Sequence, residues 1–194
     1  MVENIKILIQ DIFINFFQVI WFSSIIAALS LYIYEKNPSK SLKKLMVEFL
    51  QMFKSNKKLK NKYFIFLYFA FVAFMTLFNR KPYLNPLNNI FGGWNLFSSN
   101  GQFNADAVEN VILFIPMGSI LTFYARSMSI KKWSYVLSRC IMISLGIETI
   151  QLFLFLGTFQ FADVFYNTLG GIIGEIIYLC FIAVQTHWGQ VNAK

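Results

Sequence analysis

The sequence predicts an all-α membrane protein, a polytopic bundle of about five transmembrane helices with an amphipathic helix lying on the cytoplasmic surface. Three observations lead there. Of 194 residues, 57% are hydrophobic and only 13% are charged, whereas a soluble domain carries about a quarter charged. The apolar residues come in long runs, and despite 23 phenylalanines no stretch alternates as a half-buried strand does. Most of the basic charge collects in one segment between two of the runs. With a mean hydropathy of +0.55, the whole chain, 1–194, reads as a single membrane domain.

Crossing about 30 Å of hydrocarbon takes roughly 20 predominantly apolar residues. Span one covers 12–34 and tolerates Asn15, Gln18 and Ser30. Span two, 63–78, is shorter but dense in phenylalanine, and Lys62 and Arg80 at its ends can snorkel outward. Span three covers 107–125, opens at Asp106 and contains Pro116; spans four and five cover 133–156 and 164–184.

The loop 35–62 holds Lys36, Lys40, Lys43, Lys44, Lys54, Lys57, Lys58, Lys60 and Lys62 against Glu35 and Glu48. It supplies most of the +8 net charge. A basic loop tied to two apolar runs is explained by membrane topology, and no nucleic-acid partner is expected. The loop after span three adds Arg126, Lys131 and Lys132, while Gly157–Ala162 after span four has no basic residue. The positive-inside rule then sets the N-terminus outside and the C-terminus in the cytoplasm. Within the basic loop, Asn37-Pro38-Ser39 precedes Leu42, Leu45, Met46, Phe49, Leu50 and Phe53 at one-face helical spacing, the pattern of the surface helix.

The outer loop, 79–106, is rich in asparagine and mixes Gly92, Gly93 and Gly101 with Phe91, Trp94, Phe97 and Phe103. Such a segment is expected to pack at the outer interface or to be partly re-entrant. Cys140 and Cys180 lie in apolar runs without CxxC spacing, and His187 stands alone. Both thiols are expected to be buried and free, and no metal site is expected. The first apolar run lacks a basic n-region and a small-residue cleavage site, so no cleavable signal peptide is expected.

Ionisable groups inside spans cost about 2.5–3.5 kcal/mol each on insertion scales, so each asks for a reason. Asp106 and Asn110 open span three, Glu148 and Gln151 lie in the outer half of span four, and Asp163 and Asn167 begin span five. Spacings of three and four put each pair on one helix face. Because spans four and five are joined by a short loop, the three pairs can converge near the outer leaflet as a polar pocket. Gly170, Gly171 and Gly174 give span five a small-residue stripe for close helix contact. Pro116, with Gly118 beside it, is expected to kink span three. Glu175 turns away from the glycine stripe by roughly 100° and is expected to pair separately.

In order, Asp106-Ala-Val-Glu-Asn110-Val-Ile-Leu-Phe-Ile-Pro116-Met-Gly118, Glu148-Thr-Ile-Gln151 and Asp163-Val-Phe-Tyr-Asn167-Thr-Leu-Gly170-Gly171-Ile-Ile-Gly174 resemble the VanZ-like family of bacterial membrane proteins. Asn85-Pro-Leu is similar to the family's segment upstream of span three, and the resemblance covers roughly 80–180. It implies an envelope role in a Gram-positive cell membrane and a contribution to glycopeptide resistance of the teicoplanin type. The family commonly has an arginine in the loop before the Asp163 motif, where this chain reads Gly157-Thr-Phe-Gln-Phe-Ala162. A direct arginine grip on phosphate is therefore not expected there.

Four function classes follow. In the first, the outward-facing pocket binds a lipid-linked envelope component or lipoglycopeptide, with no cofactor beyond a divalent cation that could bridge to a phosphate. A small transporter, flippase or proton-coupled carrier would also use intramembrane acids, though carriers place their site at the midplane. An enzyme could use paired carboxylates, but no Ser, Cys or His constellation accompanies them. A non-catalytic interaction subunit would use the glycine face of span five. A simple polar clamp between helices would need no carboxylates at all.

Overall fold

The computed structural model describes residues 10, 17, 19–26, 28–29, 47, 51, 54, 56–78, 80, 82–95, 97, 105–127 and 132–191. All but residues 47 and 51 of the expected surface helix over 42–53, and much of span one, lie outside these. Contacts divide the chain into two compact units, 1–80 and 81–194. Among the described residues the regular structure is helical.

In the first unit, residues 19–26 are helical. Helix α1, Lys57–Ala73, runs directly into a π-helical segment, Phe74–Phe78. Asn56 starts it: its side-chain oxygen accepts from the Lys58 amide at 3.0 Å and its carbonyl from Lys60 at 3.2 Å. This is how an N-cap asparagine satisfies the otherwise orphaned first turn. Helix therefore begins ahead of the expected span at 63, and the last lysines of the basic loop form its first turns. Phe22 stacks on Phe74 with ring centroids 5.9 Å apart. Thr76 returns its hydroxyl to the Val72 carbonyl at 2.8 Å.

The second unit holds α2 (Ala105–Ser127), α3 (Lys132–Leu154) and α4 (Phe161–Val191). All three are long and apolar enough to cross a membrane. Helix α4 is about 46 Å long, against about 30 Å of hydrocarbon, so it outruns the span expected at 164–184 at both ends. Helix α2 runs unbroken through Pro116.

The radial distribution is inverted relative to a soluble protein. Asn110, Thr122, Ser144, Glu148, Gln151, Asp163 and Asn167 are buried, while Ile112, Phe123, Met142, Ile176, Ile177 and Phe181 are exposed. Lipid tails solvate apolar side chains as well as a protein core does, but cannot satisfy polar ones. The two thiols differ. Cys140 is buried as expected, whereas Cys180 is exposed, a correction explained by its place among the exposed Ile176, Ile177, Phe181 and Val184.

The most extensive contact joins α2 to α4, which are not consecutive in the chain. A Cβ on Gly170 would collide with the Val111 carbonyl oxygen, one on Gly174 with that of Ile115, and one on Gly118 with that of Gly171. From Asn110–Asp163 to Ser119–Gly174, and from Val111–Gly170 to Ile115–Gly174, the numbers rise together, so α2 and α4 run parallel and α3 returns antiparallel between their ends. The missing Cβ atoms allow the backbones to touch, with glycine Cα–H groups aimed at carbonyl oxygens across the seam. Ser119 adds a hydrogen bond from its Oγ to the Gly174 carbonyl at 2.9 Å.

Helix α3 ends in a Schellman motif. The Leu156 amide donates to the Gln151 carbonyl at 2.8 Å and the Phe155 amide to Leu152 at 3.3 Å, with Phe155 left-handed at φ 55°. Glycine is usual at that position because a side chain there costs roughly 1–2 kcal/mol. The turn aims the Phe155 carbonyl at the Tyr83 amide, which donates to it at 2.7 Å. Phe159 then donates to the Pro86 carbonyl at 2.8 Å and Phe161 to Ile90 at 3.0 Å. The segment 82–95 is thus strapped along the α3–α4 loop.

Candidate functional site

The polar residues gather in a layer just inside one end of the three-helix unit. Asn110, Glu148 and Asn167 each lie five or six residues from the end of their helix, a depth of about 9 Å. The layer is built from specific cross-helix bonds. Asn110 of α2 donates from Nδ2 to Oδ1 of Asp163 on α4 at 2.9 Å. Asn167 of α4 donates from Nδ2 to the Ser144 hydroxyl of α3 at 2.8 Å. Glu148 of α3 accepts the Gln160 backbone amide at Oε2, at 3.0 Å, which closes the layer against the α3–α4 loop.

Burial is nearly complete: Glu148 is 1% exposed, Asn167 and Gln151 are 2% exposed, and Asp163 is 8% exposed. One atom stands out. The Asn167 side-chain oxygen is buried and has no hydrogen-bond partner. A buried amide oxygen left unmatched costs about 1–3 kcal/mol, so its retention needs an explanation such as a bound water, ion or ligand donor.

The six sequence-derived residues do not all share one fate. Asn110, Glu148, Gln151, Asp163 and Asn167 are buried, and the structure joins Asn110 to Asp163 directly. Asp106, in the first turn of α2, is exposed and stands outside the buried layer. Pro116 is also exposed, while Gly118, Gly170, Gly171 and Gly174 line the helix seams. Gly171 faces α3 rather than α2 alone, because a Cβ there would meet the Cys140 sulfur. Glu175 is buried one residue beyond the seam glycine Gly174.

Ser144 and Gln160 were not singled out by sequence reasoning. Ser144 carried a usable signal, since it lies four residues before Glu148 and so on the same face of α3. Gln160 carried none, because it contributes through its backbone. Among the described residues, no three His, Cys, Asp or Glu side chains are placed to share a metal ion.

Above the layer, the 82–95 segment supplies an aromatic rim. Tyr166 donates its hydroxyl to the Trp94 carbonyl at 3.1 Å, and the Trp94 ring packs on Phe165 at 5.5 Å and Tyr166 at 6.3 Å. Phe91 meets Phe161 at 5.7 Å. Gly93 is required here: it sits at φ 83°, and a Cβ would strike the Gln160 side-chain oxygen.

The family model for VanZ/LLP1 matches residues 12–183. This chain belongs to the VanZ/LLP1 family. It is similar to Protein VanZ of Enterococcus faecium, with 34% identity over 83 residues, or 42% of this chain and 48% of that protein. The chain thus aligns with about half the length of that relative. No solved structure matches it. The family match takes in both units, whereas the polar layer falls wholly within α2, α3 and α4.

Proposed function

We propose that this VanZ/LLP1 protein acts in the bacterial cell membrane in glycopeptide resistance of the teicoplanin type. In this reading the polar layer faces the outside and binds a lipid-linked envelope component or a lipoglycopeptide. The observation that carries it is the buried, unpartnered Asn167 oxygen set among Asp163, Glu148 and Ser144. A pure clamp between helices gains nothing from carboxylates or from an unmatched acceptor. A ligand hydroxyl or amine would donate to Asn167, with the acids of Asp163 and Glu148 as further acceptors.

Charge supports this orientation: the Gly157–Ala162 loop carries no basic residue, and Arg126 lies at the opposite end of α2. Depth supports binding over carriage. About 9 Å from the helix ends is nearer the surface than the midplane site of a carrier. The glycine face of α4, which could have served a partner subunit, is filled by α2 of the same chain.

The test is teicoplanin tolerance in a susceptible host expressing Glu148→Gln, Asp163→Asn or Asn167→Leu at membrane levels matched to the parent. Tolerance should fall to that of the empty vector. Full tolerance in all three sinks the reading.

A further inference from the structure

Helix α4 has a second stripe beside its polar one. Phe161, Phe165, Leu169 and Ile172 recur at helical spacing and, with Leu137 and Ile141 of α3, wall a groove of about 370 Å³. No polar surface lines it. Thr168 also borders the groove, but its hydroxyl is spent on the Val164 carbonyl at 2.7 Å. The groove lies beside the line where α3 meets α4, through the Asn167–Ser144 bond and at Gly171 against Cys140.

The dimensions of the groove select its occupant. From Phe161 to Ile172 the helix rises about 17 Å, which matches half of the roughly 30 Å hydrocarbon core. A partner's transmembrane helix would need a face running the full thickness, whereas a lipid chain occupies one leaflet. The groove's end at Phe161 and Phe165 is ringed by Phe91 and Trp94, and no charged residue occurs from 82 to 105. That neutral aromatic collar suits the headgroup level of a bilayer.

We propose that this groove is a binding site for one hydrocarbon chain of a lipid in the leaflet at the Asp163 end. It stands apart from the polar layer and holds whichever way that layer functions. The probe is phosphatidylcholine carrying a diazirine on one acyl chain, doped into plain phosphatidylcholine vesicles containing the full chain, with labelled residues mapped by mass spectrometry after illumination. Leu169, Ile172 and Ile141 should be labelled several-fold more than Ile176, Ile177 and Phe181, which are more exposed on the lipid-facing surface of α4. Leu169→Trp, which fills the groove, should reduce labelling at Ile172 and Ile141 while leaving Phe181 unchanged. Even labelling along α4 would mean ordinary surrounding lipid and would overturn the proposal. So would protection of Ile141 and Ile172 from the lipid together with their cross-linking to a second copy.

Discussion

Helix α4 packs against both of its neighbours in the second unit, and the two seams mix close glycine contact and polar bonding in different proportions. Toward α2 it removes side chains: Gly170 and Gly174 bring its backbone against the Val111 and Ile115 carbonyls, and Ser119 bonds across. Toward α3 a single glycine, Gly171, lies against the Cys140 side chain, with one buried polar bond at Asn167 and an apolar groove beside it. In lipid no hydrophobic force pulls helices together, so contact comes from van der Waals closeness or from polar matching. One helix shows both solutions, and they should fail differently.

The largest effect is expected at the glycine seam. Gly174→Leu places atoms where the Ile115 carbonyl already sits, and a backbone cannot move aside as a side chain can. A loss of about 3 kcal/mol or more is expected, read as a lower thermal unfolding midpoint in micelles. Gly146→Leu is the control, because a Cβ there meets nothing within 4 Å, and it should leave the midpoint unchanged or raise it. Equal damage from both would mean that the loss at Gly174 does not come from its close contact with α2.

A middle effect is expected where α3 meets the loop. Glu148→Leu strands the Gln160 amide and should cost about 1–3 kcal/mol, whereas Glu148→Gln keeps an acceptor and should cost clearly less. Reversible unfolding of the two variants side by side measures the difference. The smallest effect belongs to the Asn110–Asp163 bond. A double-mutant cycle with Asn110→Ala and Asp163→Ala should give a coupling of about 0.6 kcal/mol, the usual scale for such bonds in membranes. A coupling of several kcal/mol would show that polar matching, not close packing, holds α2 to α4.

Much of this was readable from residues in a row. Apolar runs located α2, α3 and α4, and spacings of three and four marked Glu148 with Gln151 and Asp163 with Asn167 as one-face pairs. Asp106 and Asn110 share that spacing, yet one is exposed and the other buried. Ala107 next to Asp106 is buried, so the turn is packed on one side, and the roughly 40° between positions four apart leaves a shared face without a shared environment. Ser144 escaped notice because a serine in a membrane helix commonly bonds to its own backbone, and only its position opposite Asn167 gives it a partner. The thiol of Cys180 looked no different in sequence from that of Cys140.

By itself the sequence determined that this chain is helical and built for a bilayer. Within hydrocarbon every backbone amide must be satisfied locally, and long apolar runs leave the helix as the available answer. It also determined that costly polar groups cluster at one end of three helices, because spacing and loop length are local properties. The tertiary structure decided which faces meet. That α2 and α4 lie parallel and touch through glycine, that Asn110 finds Asp163 and Asn167 finds Ser144, and that a groove opens beside α3 all depend on the rotation and register of helices distant in the chain. Those are settled by whole-surface fit, and no single stretch of residues encodes them.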